Sequence, residues 1–296
     1  MFQIREYWVT YCVFTILLII LAVVTFDCLP SHLYDADDLE WLAEITAALK
    51  DPADYYSSNR ITPARPPVDF LFAAGFLLWG DTASAFHILQ ICIHLVISLL
   101  VVYTLRCIDV DLELSLLTSL LFFMNVAHFR AIHWIACLNY LLAFLFGLIV
   151  LVCYTRFLRS YRTRWIVSAN LMLVFAVLSH PSVVSIAPFC TYLSLRRMCN
   201  ILEAFRKSGS LILSACVSGY LTYWISPDVN DVLGISANPD LVHILRNLFW
   251  FVSRLITSAH WLLIPLVDEP SFLELSVGFF ACAGVLALYR YKVFPA

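Results

Sequence analysis

Long apolar stretches recur along this chain, and they limit its possible folds more than any other feature. They fall at about 8–26, 84–105, 114–129, 136–155, 165–180, 182–195, 209–226 and 272–289. A helix of ~20 apolar residues crosses ~30 Å of hydrocarbon. With no water at that depth, only helices and closed barrels satisfy their backbone groups. A barrel would read as ~10-residue segments of alternating polarity, whereas these runs are continuous. The composition agrees, with 62% hydrophobic and 13% charged residues and a mean hydropathy of +0.86. The expected fold is an all-α polytopic membrane protein of about eight transmembrane helices, a single domain over 1–296. Arg5 before the first run resembles the start of a signal peptide. The run is too long for that, and no small-x-small cleavage site follows, so it reads as a retained span.

The loops set the expected orientation. Arg156, Arg159, Arg162 and Arg164 share one loop, and Arg196, Arg197, Arg206 and Lys207 share another. With Arg5, Arg106, Arg290 and Lys292 they place 12 of 18 basic residues on one side. That side is therefore read as cytoplasmic, with both termini on it. The membrane would be a bacterial inner membrane or the endoplasmic reticulum. A net charge of −3 with no basic block gives no pointer to nucleic acid. The ten cysteines contain no C-x-x-C pair, so they read as packing residues of the spans.

Two segments fall on the opposite, extracytoplasmic side: an acidic loop at 27–83 and an interfacial stretch at 227–271. The first holds ten of the 21 acidic residues, including Asp35, Asp37 and Asp38, with Arg60 and Arg65 downstream. Carboxylates against a membrane surface with arginines nearby suit the handling of a phosphorylated lipid. Within this loop, 37–50 carries Leu39, Leu42, Ile45, Ala48 and Leu49 at helical spacing and predicts an amphipathic helix lying on the membrane. The apolar segment 68–79 follows the Pro66-Pro67 break and suits an in-plane or re-entrant helix. His87 and His94 lie seven residues apart on one face of a span, either bonding between helices or meeting a ligand. Asn125-Val126-Ala127-His128-Phe129-Arg130 ends the third run on the side of the acidic loop, as an interfacial anchor or a ligand contact. His180 lies in a tight hairpin on that same side. Arg246, Trp250 and Arg254 recur every fourth residue and predict an interfacial helix.

Several of these stretches together resemble the GT-C-fold integral membrane glycosyltransferases, in the dolichyl-phosphate-mannose protein mannosyltransferase-like and TMTC-like group. The resemblance rests on Asp37-Asp38 after a first span, and on Arg65-Pro66 before an apolar segment ending Leu78-Trp79-Gly80. It continues with Phe86-His87 and His94, then Phe123-Met124-Asn125-Val126-Ala127-His128 leading to Ala131-Ile132-His133-Trp134-Ile135, and finally 238–265 as an interfacial stretch. It covers roughly 8–289 in order. Relatives often carry Ser-Lys-Glu where this chain has Ser179-His180-Pro181, and an acid where it has Arg130. They are also longer.

The resemblance implies a GT-C-like bundle that moves a sugar from a polyprenyl-phosphate donor to an extracytoplasmic acceptor, with inversion. Asp37 is the expected base, and Asp38 orients it or helps hold a divalent cation (Mg or Mn). Asp35, Asp37 and Asp38 also fit the first turn of a solvated helix, where Asp is favoured. Arg65, His128, Arg130, His180, Arg246 and Arg254 are the expected contacts to donor phosphate, with a protonated His180 standing in for the lysine. Two other functions stay open. One is a catalytically silent GT-C-like subunit of a larger membrane complex, and the other is a lipid or solute transporter.

Overall fold

The computed structural model describes residues 4–27, 34, 36–51, 64–125, 129–198 and 200–225. The expected 227–271 segment, Arg246, Arg254, His128 and the eighth apolar run lie outside the described residues. Every described element is helical, as the continuous apolar runs require. In order they are α1 (Ile4–Thr25), α2 (Ala36–Lys50), α3 (Pro66–Trp79), α4 (Ala83–Cys107), α5 (Leu112–Phe123) and α6 (Phe129–His133). A 3-10 turn (Ile135–Cys137) leads into α7 (Leu138–Ser160) and then α8 (Thr163–Ser179). A second 3-10 turn (Pro181–Ser185) precedes α9 (Ile186–Met198) and α10 (Ile201–Ile225).

Among the described residues, three segments are long and apolar enough to cross a membrane: Tyr7–Thr25, Ala83–Cys107 and Ile135–Ser160. α5, α8 and α9 have 12, 17 and 13 residues, shorter than the ~20 a straight crossing takes. The third apolar run is cut at Met124, so its helix stops well before 129.

α7 is the spine. It packs along α8 and against α4, and its Val150, Tyr154 and Leu158 share a core with Leu173, Val177, Cys190 and Leu211. A second core gathers Trp41, Ile45, Phe72, Phe86, Ile135 and Leu138 where α2 and α3 meet the start of α7. On α1, Leu18 is buried while Val13, Ile16, Ile20 and Val24 are exposed. Such an apolar outer face is stable only in an apolar surrounding.

The helix expected over 37–50 forms, but turned. Asp38, Trp41, Leu42 and Ile45 make its buried face, while Leu39 and Leu49 are exposed. This face follows the i, i+3, i+4, i+7 rule, with a carboxylate inside it. The helix expected over 68–79 also forms, with Pro66 and Pro67 opening it and Gly80 (φ 63°) ending it.

Candidate functional site

Four pieces of chain meet at the acidic-loop end of α7: α2, the start of α3, the 3-10 turn before α7, and the α8–α9 hairpin. Arg65 stands immediately before α3. Prolines at the first two helical positions fix the backbone there and need no donor partners. The Arg65 carbonyl accepts the N–H groups of Val68 and Asp69, each at 2.9 Å. The Asp69 side chain reaches back, its Oδ2 accepting the Arg65 N–H at 2.9 Å. Its Oδ1 accepts the Trp41 indole Nε1–H at 2.7 Å, joining α2 to α3. The Trp41 ring stacks on Phe72 with centroids 5.5 Å apart, and Phe72 stacks on Phe86 at 5.5 Å. Gly75 makes that approach possible, since a Cβ there would stand 2.7 Å from Phe86 Cε1.

This framework carries the Arg65 guanidinium over the Trp41 ring, with Cζ 5.6 Å from its centroid. Asp69 thus fixes the backbone beneath Arg65 and the ring beside it. Nη1 of Arg65 is buried and has no hydrogen-bond partner among the described residues. Burial pushes this guanidinium below its usual value, opposed by Tyr140, Asp69 and Cys137. Arginine stays charged even so, so a half-buried cation with one buried donor stands at this site.

His180 ends α8 and caps the following 3-10 turn. Its Nδ1 accepts the Ser182 N–H at 3.3 Å and lies 2.7 Å from Ser182 Oγ. A nitrogen that accepts carries no proton, so the imidazole's hydrogen is on Nε2. Burial, and secondarily the charge of Arg65, lower the His180 value to about 4. His180 therefore joins the site as a neutral Nε2–H donor, not as the cation expected in place of the lysine. Its ring lies 4.3 Å from that of Tyr140.

Asp38 is 1% exposed and its Oδ1 accepts the Ala136 N–H at 2.6 Å. A carboxylate on a free N–H just ahead of a helix is favoured by the helix's positive end. Asp38 thereby fastens α2 to the entry of α7. The Tyr34 ring lies 6.3 Å from Phe86, and its buried hydroxyl has no hydrogen-bond partner among the described residues. Burial, then Asp81 and Asp38, raise it to about 12, so it remains a neutral donor.

Of the expected site residues, Arg65 and His180 come together, and Asp38 anchors the same end of α7. Asp37 lies in α2 and Arg130 in α6, but their side chains are outside the described residues. Among the described residues no group of three or more His, Cys, Asp or Glu converges on a metal position. The histidines of α4 are buried: His94 Nε2 lies 3.2 Å from the Phe123 carbonyl, and the His87 ring is 6.4 Å from that of His133. Gln90 between them donates to the Trp134 carbonyl at 2.8 Å.

Trp41, Asp69, Tyr140 and Tyr34 also line the candidate site; of these the sequence marked Tyr34, Trp41 and Asp69 only as members of the acidic loop. Asp69 did leave a local signal, a carboxylate four residues after Arg65 across a double proline, which is close to a capping signature. Compared with protein-family models, curated proteins and solved structures, the chain matches none.

Proposed function

We propose that this chain is a GT-C-type membrane glycosyltransferase using a polyprenyl-phosphate sugar, with Arg65 as the seat of the donor phosphate. The observation that carries this is the buried Arg65 Nη1, which has no partner among the described residues. A buried charged donor costs several kcal/mol unless something anionic completes it, and a phosphate oxygen does so with good geometry. His180 Nε2–H supplies a second, neutral donor.

In this reading the acceptor oxygen bonds to the anomeric carbon as the bond from that carbon to phosphate breaks. The acceptor proton passes to the Asp37 carboxylate. The departing polyprenyl phosphate gains a second negative charge, which Arg65 is placed to offset in a low-dielectric setting. Asp38 holds α2 in place through Ala136. A divalent cation, if used, would have to rest chiefly on Asp37. The arginine-rich end lies on the cytoplasmic side and the site on the other. Gathering of Arg106, Arg156 and Arg159 around the α4 and α7 ends supports that orientation.

The test is binding of a polyprenyl-phosphate sugar to the purified full-length protein, with transfer measured in parallel. Arg65→Gln is expected to lose binding, and Asp37→Asn to keep binding while losing transfer. Unchanged binding by Arg65→Gln would refute the proposal. The silent-subunit reading is favoured by one observation: Asp38 is engaged by a backbone N–H. Under that reading Asp37→Asn changes nothing, and the protein purifies in fixed stoichiometry with other membrane subunits.

A further inference from the structure

The opposite end of α7 carries a second arrangement of cations, unrelated to the donor site. Two residues, Tyr161 and Arg162, join α7 to α8. Tyr161 adopts a left-handed backbone (φ 51°), and its N–H closes on the Phe157 carbonyl at 2.7 Å. This tight turn sets the end of α7 beside the first turn of α8. Arg156 and Arg164 then both lie over the Trp165 ring, with Cζ at 4.7 and 5.1 Å from its centroid. α10 adds Lys207, whose Nζ stands 4.5 Å from the centroid of the Tyr161 ring. Tyr161, Arg162 and Arg164 are exposed. The acid bound here, Asp109, is paired with Arg159 at 2.6 Å.

Position says what these cations face. The membrane-length segment Ile135–Ser160 ends at this turn, so Arg162, Arg164 and Lys207 stand where hydrocarbon gives way to headgroups. Aromatic rings at that level are at home in the interface, and here they also hold cations by their faces. Ring contact orders an ammonium or guanidinium without consuming its N–H donors.

We infer that the α7–α8 turn together with Lys207 is a binding site for the phosphate of an anionic phospholipid in the surrounding leaflet. The juxtaposition of cations from α8 and α10 on the aromatic pair Tyr161 and Trp165, at the end of a membrane-length helix, carries the inference. It does not depend on the glycosyltransferase reading.

Full-length protein in detergent micelles supplied with equal phosphatidylglycerol and phosphatidylcholine tests it, with retained lipid read by native mass spectrometry. Wild type is expected to retain phosphatidylglycerol preferentially. The triple variant Arg162→Gln, Arg164→Gln, Lys207→Gln should lose that preference, by about fivefold per cation near the surface. Arg196→Gln with Arg197→Gln, in the last turn of α9, is the control and should keep it. Equal retention of both lipids by wild type would overturn the inference. So would an unchanged triple variant, or a control that loses as much. Should the triple variant fail to fold, a salt titration of wild type decides. The preference must vanish toward ~1 M salt, where screening falls to ~3 Å, and persistence there also overturns the inference.

Discussion

The two ends of α7 handle positive charge in opposite ways. At the arginine end, Arg156 shares Trp165 with Arg164 and hydrogen-bonds the Tyr103 hydroxyl, Arg159 pairs with Asp109, and Lys207 rests on Tyr161. Most of these groups keep contact with the surrounding phase, and such contacts are each worth about 0–1 kcal/mol. At the other end Arg65 is held over Trp41 with a buried donor that has no partner among the described residues. Stripping a guanidinium of water costs several kcal/mol. Cations resting on exposed rings stay open to the surrounding phase, whereas a cation with a buried donor is open only to a group that enters the fold. Perturbed, buried charge gathers at functional sites for this reason.

The largest test sets stability against binding at Arg65. Arg65→Leu removes a buried, incompletely paired charge, so its thermal unfolding midpoint should be no lower than that of wild type. Binding of a polyprenyl-phosphate ligand should fall by roughly 30-fold or more, the cost of deleting one partner of a buried charge contact. A variant that loses stability without losing binding would make Arg65 a structural residue and remove the contrast between the two ends.

Next is the framework beneath it. Asp69→Ala deletes the acceptor for both Trp41 Nε1–H and the Arg65 N–H, leaving buried donors unmet. It should lower stability by about 2–4 kcal/mol. Trp41→Phe keeps the stack on Phe72 and loses one bond, for about 1–2 kcal/mol. Equal unfolding midpoints for wild type and Asp69→Ala would show that Asp69 does not hold the site.

These residues also mark how far local sequence pattern reaches into the fold. Helices at 8–26 and 136–155 were legible, because an apolar run at membrane depth has no alternative to a helix; α1 and α7 occupy those places. Arg65 and His180, which their motifs singled out, lie near each other at the candidate site. The inner face of α2 was not. Leu39 and Leu49 were expected to share the apolar stripe, yet they are exposed while Asp38 is buried. The Asp38 partner, Ala136 N–H, lies 98 residues along the chain, and no local period carries that information. Trp41 and Asp69, 28 residues apart, were hidden for the same reason. The charge of His180 was misjudged because burial, which sequence does not display, dominates its titration.

That titration gives a pH test. The His180 value falls from an ordinary 6.5 to about 4 in the folded chain. Between those values the unfolded chain binds more protons, so folding stability must fall as pH drops from about 6.5 toward 4. Above that window the contribution is flat. His180→Asn can still cap the turn, and it should remove this part of the acid sensitivity when unfolding midpoints are compared with wild type. Ligand binding by wild type should also stay level from neutral pH upward, since no charge is lost there. A fall in binding as pH rises through 6.5 would restore the cationic histidine.

The smallest expected effect is at the arginine end, and it sharpens the comparison by being small. Arg159 and Asp109 approach to 2.6 Å, but their side chains are 34% and 82% exposed. Both ions remain hydrated, so bringing them together gains little Coulomb energy and costs side-chain freedom. Asp109 also adopts a left-handed backbone (φ 68°), which aspartate tolerates better than most residues. Asp109→Asn is therefore the cleaner replacement, since asparagine accepts that conformation and removes only the charge. A cycle with Arg159→Gln, Asp109→Asn and the double variant should return a coupling of about 0.2–1 kcal/mol, shrinking as salt is added. The bond links the turn after α4 to the last turn of α7, so a coupling of several kcal/mol, insensitive to salt, would mean that this end is also sealed from its surroundings. The two ends would then differ in their partners and not in their exposure.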